Sequence, residues 1–303
     1  MRLVDFHMHT THSDGSYTPG ELMKYCKEKN LSCVSVTDHD TMSSFEECER
    51  EAKKYGIELV PGVEISVQFE PGTLHILGFF LDRTNPQLQK KFEEIQRARR
   101  ERNPEIIRKL NQLGIEITLE EVTRQAYGEA SIPAGKRFDR LTVPSKVEGQ
   151  LGRPHFAKAL VKKGVVKNFD EAFEKYLSKG KSAYVDKRRV SSSEALRIIN
   201  DAGGVASVAH PKQMKLNEAE LEKGIGRLVE EGLGAVEVYN SCQKPRENEI
   251  YRRIAKRFDL VATGGSDFHG ANKPDVDLGF LGENVRLGYE MVEALRERIR
   301  KRK

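Results

Sequence analysis

Short β-branched runs alternate with amphipathic stretches at both ends of this chain. The runs LVDF (3–6), CVSVTD (33–38), IELVPG (57–62), TLHILGFF (73–80), GVASVAH (204–210), GAVEVYN (234–240) and LVATGG (260–265) predict strands. ELMKYCKEKN (21–30), FEECEREAKKYG (45–56), SSEALRIINDAG (192–203), EAELEKGIGRLVEEG (218–232) and KPRENEIYRRIAKRF (244–258) carry apolar residues at helical spacing. Gly56 marks a helix stop. Such alternation predicts a mostly parallel sheet, either a closed barrel or a doubly wound one.

More than a hundred residues separate TLHILGFF from GVASVAH, far too many for one crossover helix. That stretch is mainly helical in pattern: QLQKKFEEIQRARRERNPEIIRKLNQLG, then FAKALVKKG and FDEAFEKYLSKG. The expectation is a barrel made of 1–97 and 191–303, with residues 98–190 as an inserted basic helical domain. Within it, 131–150 has no clear periodicity and predicts a long loop. The terminal EALRERIRKRK predicts a basic, solvated helix.

Composition narrows the class. Charged residues make up 32% of the 303 and the hydrophobic set 38%, which excludes a disordered chain. The longest apolar runs are strand-sized, so no membrane span or signal peptide is predicted. Cys26, Cys33, Cys48 and Cys242 form no CxxC pair, and a cytoplasmic location is the expectation. Net charge is +5, yet residues 97–190 hold 22 Lys/Arg against 12 Asp/Glu, while the rest of the chain is mildly acidic. The asymmetry suits an anionic substrate, or a solvated helical surface.

The histidines carry the chemistry. His7, His9, His39, His75, His210 and His269 fall within or just beyond predicted strands, beside Asp5, Asp14, Asp38, Asp40, Glu64 and Asp267. In parallel α/β folds the carboxyl ends of strands form the site face, so these residues converge there. Together they make an imidazole–carboxylate pool without thiolates, which suits Mn²⁺, Fe²⁺ or Zn²⁺. The HxH of His7 and His9 puts two side chains on one face of an extended segment. Asp267 and His269 repeat that spacing among glycines that permit close backbone approach.

DFHMHTTHSDG (5–15), VTDHDT (36–41), PGVEI (61–65), LHILGF (74–79), GRPH (152–155), VAHP (208–211) and GSDFH (265–269) resemble the PHP (polymerase and histidinol phosphatase) superfamily. GRPHFAKALV and FDEAFEKYL narrow the resemblance to the branch of TrpH-like nucleotide phosphoesterases and ribonuclease AM. It spans nearly the whole chain in motif order and implies a distorted (β/α)7 barrel. It also implies three divalent metals, Mn²⁺ first among the candidates. His7, His9, Glu64 and Asp267 would hold one; Asp14, His39 and His269 a second; Glu64, His75 and His210 a third. His12 is read as a local variant, not a ligand. In GRPH, Pro154 suits the first turn of a helix, and Arg153 and His155 are candidate phosphate contacts.

Phosphate ester hydrolysis fits these pieces: a metal-bridging hydroxide attacks phosphorus in line while metals stabilise the developing charge. Glu64, Asp267 and His155 are the candidate catalytic residues, though a metal-bound water could replace His155 as the acid. No P-loop, GxGxxG or Ser/Cys nucleophile with a base partner is evident. The resemblance implies removal of the 3′-phosphate from 3′,5′-bisphosphonucleotides such as pAp, and 5′-to-3′ trimming of short 5′-phosphorylated RNA. The alternatives are a phosphomonoesterase for histidinol phosphate or a sugar phosphate, and a nucleic-acid-binding accessory module. The basic segment argues against the first, and the complete ligand set against the second. A nucleotide or short oligonucleotide is the expected partner, with no membrane and no stable protein partner.

Overall fold

The computed structural model describes residues 2–127, 151–186, 190–281 and 285–302; the loop expected at 131–150 lies outside them. The chain divides into two compact units, Met1–Lys90 with Arg189–Lys303, and Lys91–Arg188.

The first unit carries the strands. β1 (Leu3–Asp5), β2 (Leu31–Val34), β3 (Glu58–Leu59) and β9 (Leu287–Gly288) form one sheet in the order β3-β2-β1-β9. β4 (Gly62–Val67), β5 (Leu74–Phe79), β6 (Val205–Val208), β7 (Ala235–Asn240) and β8 (Val261–Gly265) form a second sheet in chain order. Parallel bridges join the two sheets: Met8 to Phe268, beyond the ends of β1 and β8, and His39, beyond β2, to Glu64 within β4. The curled sheets therefore close on each other at the rim where β1, β2 and β8 end. The α/β fold is thus a distorted barrel of nine strands in two sheets among the described residues, not a strict sevenfold (β/α) repeat.

Strict β–α alternation is not kept. IELVPG contributes only the two-residue β3, and β4, which follows at once, pairs antiparallel with β5. β5 is also antiparallel to β6, whereas β6, β7 and β8 run parallel. A reversed β5 starts at the rim where its parallel neighbours finish. β4 and β9 were not among the expected strands: β4 lies in a nearly continuous buried run after the IELVPG signal, and β9 is only two residues long.

Helices α1 (Pro19–Glu28), α2 (Phe45–Tyr55), α7 (Ser192–Asp201), α8 (Glu218–Glu230), α9 (Pro245–Arg257) and α10 (Glu290–Arg300) complete this unit. Their ends follow local chemistry. Thr18 caps α1, accepting from the Glu21 N–H while Glu21 accepts from the Thr18 N–H. Gly56 closes α2 with φ +66°. The last helix corrects the solvated reading: Met291, Val292 and Leu295 pack in the cluster of Val4, Phe6, Phe79 and Val205. Glu and Arg side chains make up most of its remaining positions. Truncating Leu295 to Ala would cost about 2–5 kcal/mol.

The second unit is helical among its described residues. α3 (Pro86–Gln112) enters it from the preceding unit, followed by α4 (Leu119–Tyr127), α5 (Arg153–Lys162) and α6 (Phe169–Ala172), which continues as a π-helical turn, Phe173–Leu177. Ile106, Leu110, Leu119, Val122, Phe156, Leu160 and Leu177 form its own core.

Candidate metal centre

Seven strand ends or neighbouring segments of the first unit deliver polar side chains to one place. His7 and His9 leave β1 with their period-two spacing intact, and both Nε2 atoms meet the same carboxylates. Glu64 Oε2 lies 3.1 Å from His7 Nε2 and 3.2 Å from His9 Nε2, and Asp267 Oδ1 lies 3.4 Å from each. The candidate ligand atoms of His7, His9, Glu64 and Asp267 all fall within 4.8 Å of one another.

A second group adjoins it. Asp14, on the loop after β1, places Oδ1 3.3 Å from His269 Nε2 and 3.7 Å from His9 Nδ1, with Oδ2 3.8 Å from His39 Nε2. The candidate ligand atoms of His9, Asp14, His39 and His269 likewise lie within 4.8 Å of one another. His269 Nδ1 bonds the Asp267 backbone carbonyl at 2.8 Å, which leaves Nε2 with a lone pair toward Asp14. A third group gathers at the other side of Glu64, whose Oε1 lies 2.8 Å from His75 Nδ1 and 2.9 Å from His210 Nε2. His39 Nδ1 lies 3.3 Å from Glu64 Oε2, so His39 faces both the second group and the third.

Backbone geometry is adapted to this convergence. A Cβ at Gly265 would sit 2.3 Å from the His7 backbone nitrogen, so only glycine lets the end of β8 lie against the HxH segment. Asp267 has φ +58° and His210 φ +26°, conformations that side chains rarely adopt.

The charges are mutually sustaining. Burial opposes ionisation of Glu64, but His39, His7 and His75 hold its carboxyl well below the usual range. Asp14 is likewise lowered against its burial by His39 and His269, and Asp267 by Lys273 and His7. Burial also opposes charge on His7, yet Glu237, Glu64 and Asp267 raise its pKa well above normal. His9, with Asp267 and Glu64 outweighing burial, rises to about 9. Burial dominates at His39, lowering it to about 3.

Several donor atoms here are buried without a hydrogen-bond partner: His9 Nε2, Asp14 Oδ1, His39 Nδ1 and His210 Nδ1. Orphaned polar atoms of this kind carry a desolvation cost that coordination relieves. Nitrogen and oxygen donors at this density fit a divalent cation of the first transition row.

Not every acidic companion joins the pool. Asp5 accepts from the backbone N–H groups of His7, Ser266 and Gly279. Asp38 accepts from the Thr10 N–H and hydroxyl and from the Ser13 and Ser44 hydroxyls, bracing the two loops. Asp40 accepts from the Ser66 N–H. His12 Nδ1 pairs with the Ser43 hydroxyl at 2.8 Å, outside the three groups. Two contributors were missed in sequence. Glu237 on β7 bonds His7, and Lys273 Nζ lies 2.6 Å from Asp267 Oδ2. The only signal for Glu237 was a carboxylate inside an apolar strand, AVEVYN, as Glu64 is in GVEISV.

Arg153 and His155 belong to the second unit. Arg153 donates to the Leu177 carbonyl at 3.0 Å and stacks toward Phe173 and Tyr184. Pro154 and His155 open α5, and His155 Nδ1 accepts from the Gly152 N–H at 2.9 Å.

The PHP domain profile matches residues 5–184. The chain belongs to the PHP family. A 5′-3′ exoribonuclease of Haemophilus influenzae is 34% identical to this PHP protein over 265 residues, covering 88% of this chain and 89% of the relative. A 3′,5′-nucleoside bisphosphate phosphatase of Chromobacterium violaceum is 30% identical over 279 residues, covering 92% and 91%. A solved structure from Bifidobacterium adolescentis, classed as a metal-dependent phosphoesterase, aligns with TM-score 0.80 at 30% identity, covering 97% of this chain and 96% of that one. The protein is a PHP-family metal-dependent phosphoesterase, and its His/Asp/Glu clusters suit divalent metal binding. No helix among the described residues is long and apolar enough to cross a membrane.

Proposed function

We propose that the PHP site hydrolyses nucleotide phosphate esters with up to three divalent cations, Mn²⁺ first among them and Fe²⁺ or Zn²⁺ as substitutes. The observation that carries this reading is Glu64. It is buried, and its two oxygens lie between 2.8 and 3.3 Å from nitrogens of five histidines. One carboxylate amid so many imidazoles is an arrangement for sharing between cations. His7, His9, Glu64 and Asp267 would hold one, Asp14, His39 and His269 a second, and Glu64, His75 and His210 a third. Bound cations supply Lewis acidity toward phosphoryl oxygens and activate water near neutral pH. The residues fix the ring and carboxylate orientations in advance, with Asp267 and Glu64 buried and charged where positive charge is required.

The substrate class follows the relatives, one an exoribonuclease and the other a 3′,5′-bisphosphate phosphatase. We take it to be 3′,5′-bisphosphonucleotides such as pAp, together with short 5′-phosphorylated RNA. Arg153 and His155 are the candidate phosphate contacts. The basic balance of 97–190 favours a substrate with more than one phosphate.

The test follows phosphate release by Mn²⁺-loaded protein from pAp, AMP and histidinol phosphate, and release of the 5′-mononucleotide from a 5′-phosphorylated dinucleotide. Release from pAp that stops on chelation is expected. Faster release from histidinol phosphate than from either nucleotide substrate would overturn the substrate reading.

A further inference from the structure

We infer that Glu237 is a positioning residue that sets the tautomer of His7 and the backbone turn of His210, so one buried carboxylate prepares two cation positions at once. The inference rests on the cation placement proposed above. Glu237 lies fully buried within β7. Its Oε1 is 2.8 Å from His7 Nδ1. Its Oε2 accepts from the His210 backbone N–H at 2.6 Å and from Asn240 Nδ2 at 3.0 Å.

The far ends of the same two histidines meet the other buried carboxylate. His7 Nε2 faces Glu64 Oε2 at 3.1 Å, and His210 Nε2 faces Glu64 Oε1 at 2.9 Å. Glu237 thus stands behind the His7 ring and the His210 backbone, and Glu64 in front of both rings. A carboxylate behind His7 accepts the Nδ1 proton and so leaves the Nε2 lone pair for a cation. Behind His210 it holds a backbone N–H at φ +26°, a conformation that needs an external hold.

The donor arithmetic makes a sharp test. In Glu237→Gln the amide carries one acceptor and one donor end. The His210 N–H and Asn240 Nδ2 both donate toward one side, and Asn240 cannot turn over without losing its acceptance of the Cys242 N–H at 3.0 Å. The glutamine oxygen is therefore drawn to that side and its NH₂ points at His7 Nδ1. His7 must then accept at Nδ1 and carry its proton on Nε2, facing Glu64 and Asp267. The side chain keeps its volume while the ring loses its ligand lone pair.

The ranking of variants separates this role from packing. A packing role would leave the near-isosteric Glu237→Gln closest to wild type and Glu237→Asp worse. Positioning predicts the reverse, because aspartate restores an acceptor for His7 despite being one methylene short. The experiment is Zn²⁺ titration of metal-stripped wild type, E237Q and E237D, read by calorimetric affinity and stoichiometry. Long-range ¹H–¹⁵N spectra of the imidazoles report the tautomers, and melting temperature reports folding. Expected are weakening of at least one site in E237Q by about 10–100-fold, loss of the His7 Nδ1–H signal, and partial recovery in E237D. E237Q that binds like wild type with His7 still protonated at Nδ1, or E237D weaker than E237Q, would overturn the inference. Should E237Q fail to fold, E237D alone decides: loss of Zn²⁺ in a folded E237D, beyond about 100-fold, would refute positioning by an acceptor. Failure of wild type itself to take up Zn²⁺ or Mn²⁺ would overturn the cation placement instead.

Discussion

Two glutamates of the first unit make an instructive pair. Glu58, on β3, meets Arg296 at 2.7 Å, Arg2 at 3.4 Å and the Tyr289 hydroxyl at 2.6 Å, with its side chain 29% exposed. Glu64, six residues later, is 1% exposed and meets imidazoles at both oxygens. The first has permanent cations and water to satisfy it. The second has only titratable rings whose lone pairs converge on the same space. Like-sized carboxylates therefore do opposite work: Glu58 ties β3 to the terminal helix, and Glu64 gathers groups that need a cation to be at peace with one another.

The largest test of that contrast is Glu64→Gln. Losing the shared charge should remove Mn²⁺ from more than one position and cut pAp hydrolysis by at least about 100-fold. Metal content and phosphate release check it, with circular dichroism showing the fold retained. Next is Gly265→Ala, whose new methyl would press on His7. Overpacking there should cost about 1–3 kcal/mol, seen as a lower melting temperature together with reduced Mn²⁺ content. Chelation of the loaded protein should lower stability by about 2.7 kcal/mol for each site at which free metal had stood at a hundred times Kd, read as a fall in melting temperature that added Mn²⁺ restores. Lys273→Met removes the ammonium from Asp267 Oδ2 and frees the carboxylate to rotate; Mn²⁺ affinity should fall by about tenfold. The smallest effect belongs to Glu58→Gln. A part-exposed ion pair is worth less than about 1 kcal/mol, so stability should shift slightly and Mn²⁺ binding and phosphate release not at all. Loss of metal in that variant would erase the distinction between the two glutamates.

Part of the site could be read without coordinates because it depends on local periods. His7 and His9 share a face for the reason any i, i+2 pair does in extended chain. Gly265 could be read as a point of close approach, and Pro154 as the first turn of α5, from their own backbone limits. The alternation of strands and helices gave the α/β class, and the caps at Thr18 and Gly56 lie where their residue types demand.

Other features had no local signature. Asp5 and Asp38 look like ligands in sequence, beside histidines at strand ends, yet backbone and hydroxyl donors occupy them. Glu237 looks like an interior strand residue and proves to hold two of the histidines. His75 reaches the rim because β5 runs backwards relative to β6. Torsional preference and side-chain chemistry act within a few residues, so the element types and the stock of nitrogen and oxygen donors are legible along the chain. Which carboxylate faces which ring is not. Those distances are set by strand order, strand direction and closure of the two sheets, and the pairing partners lie up to hundreds of residues apart.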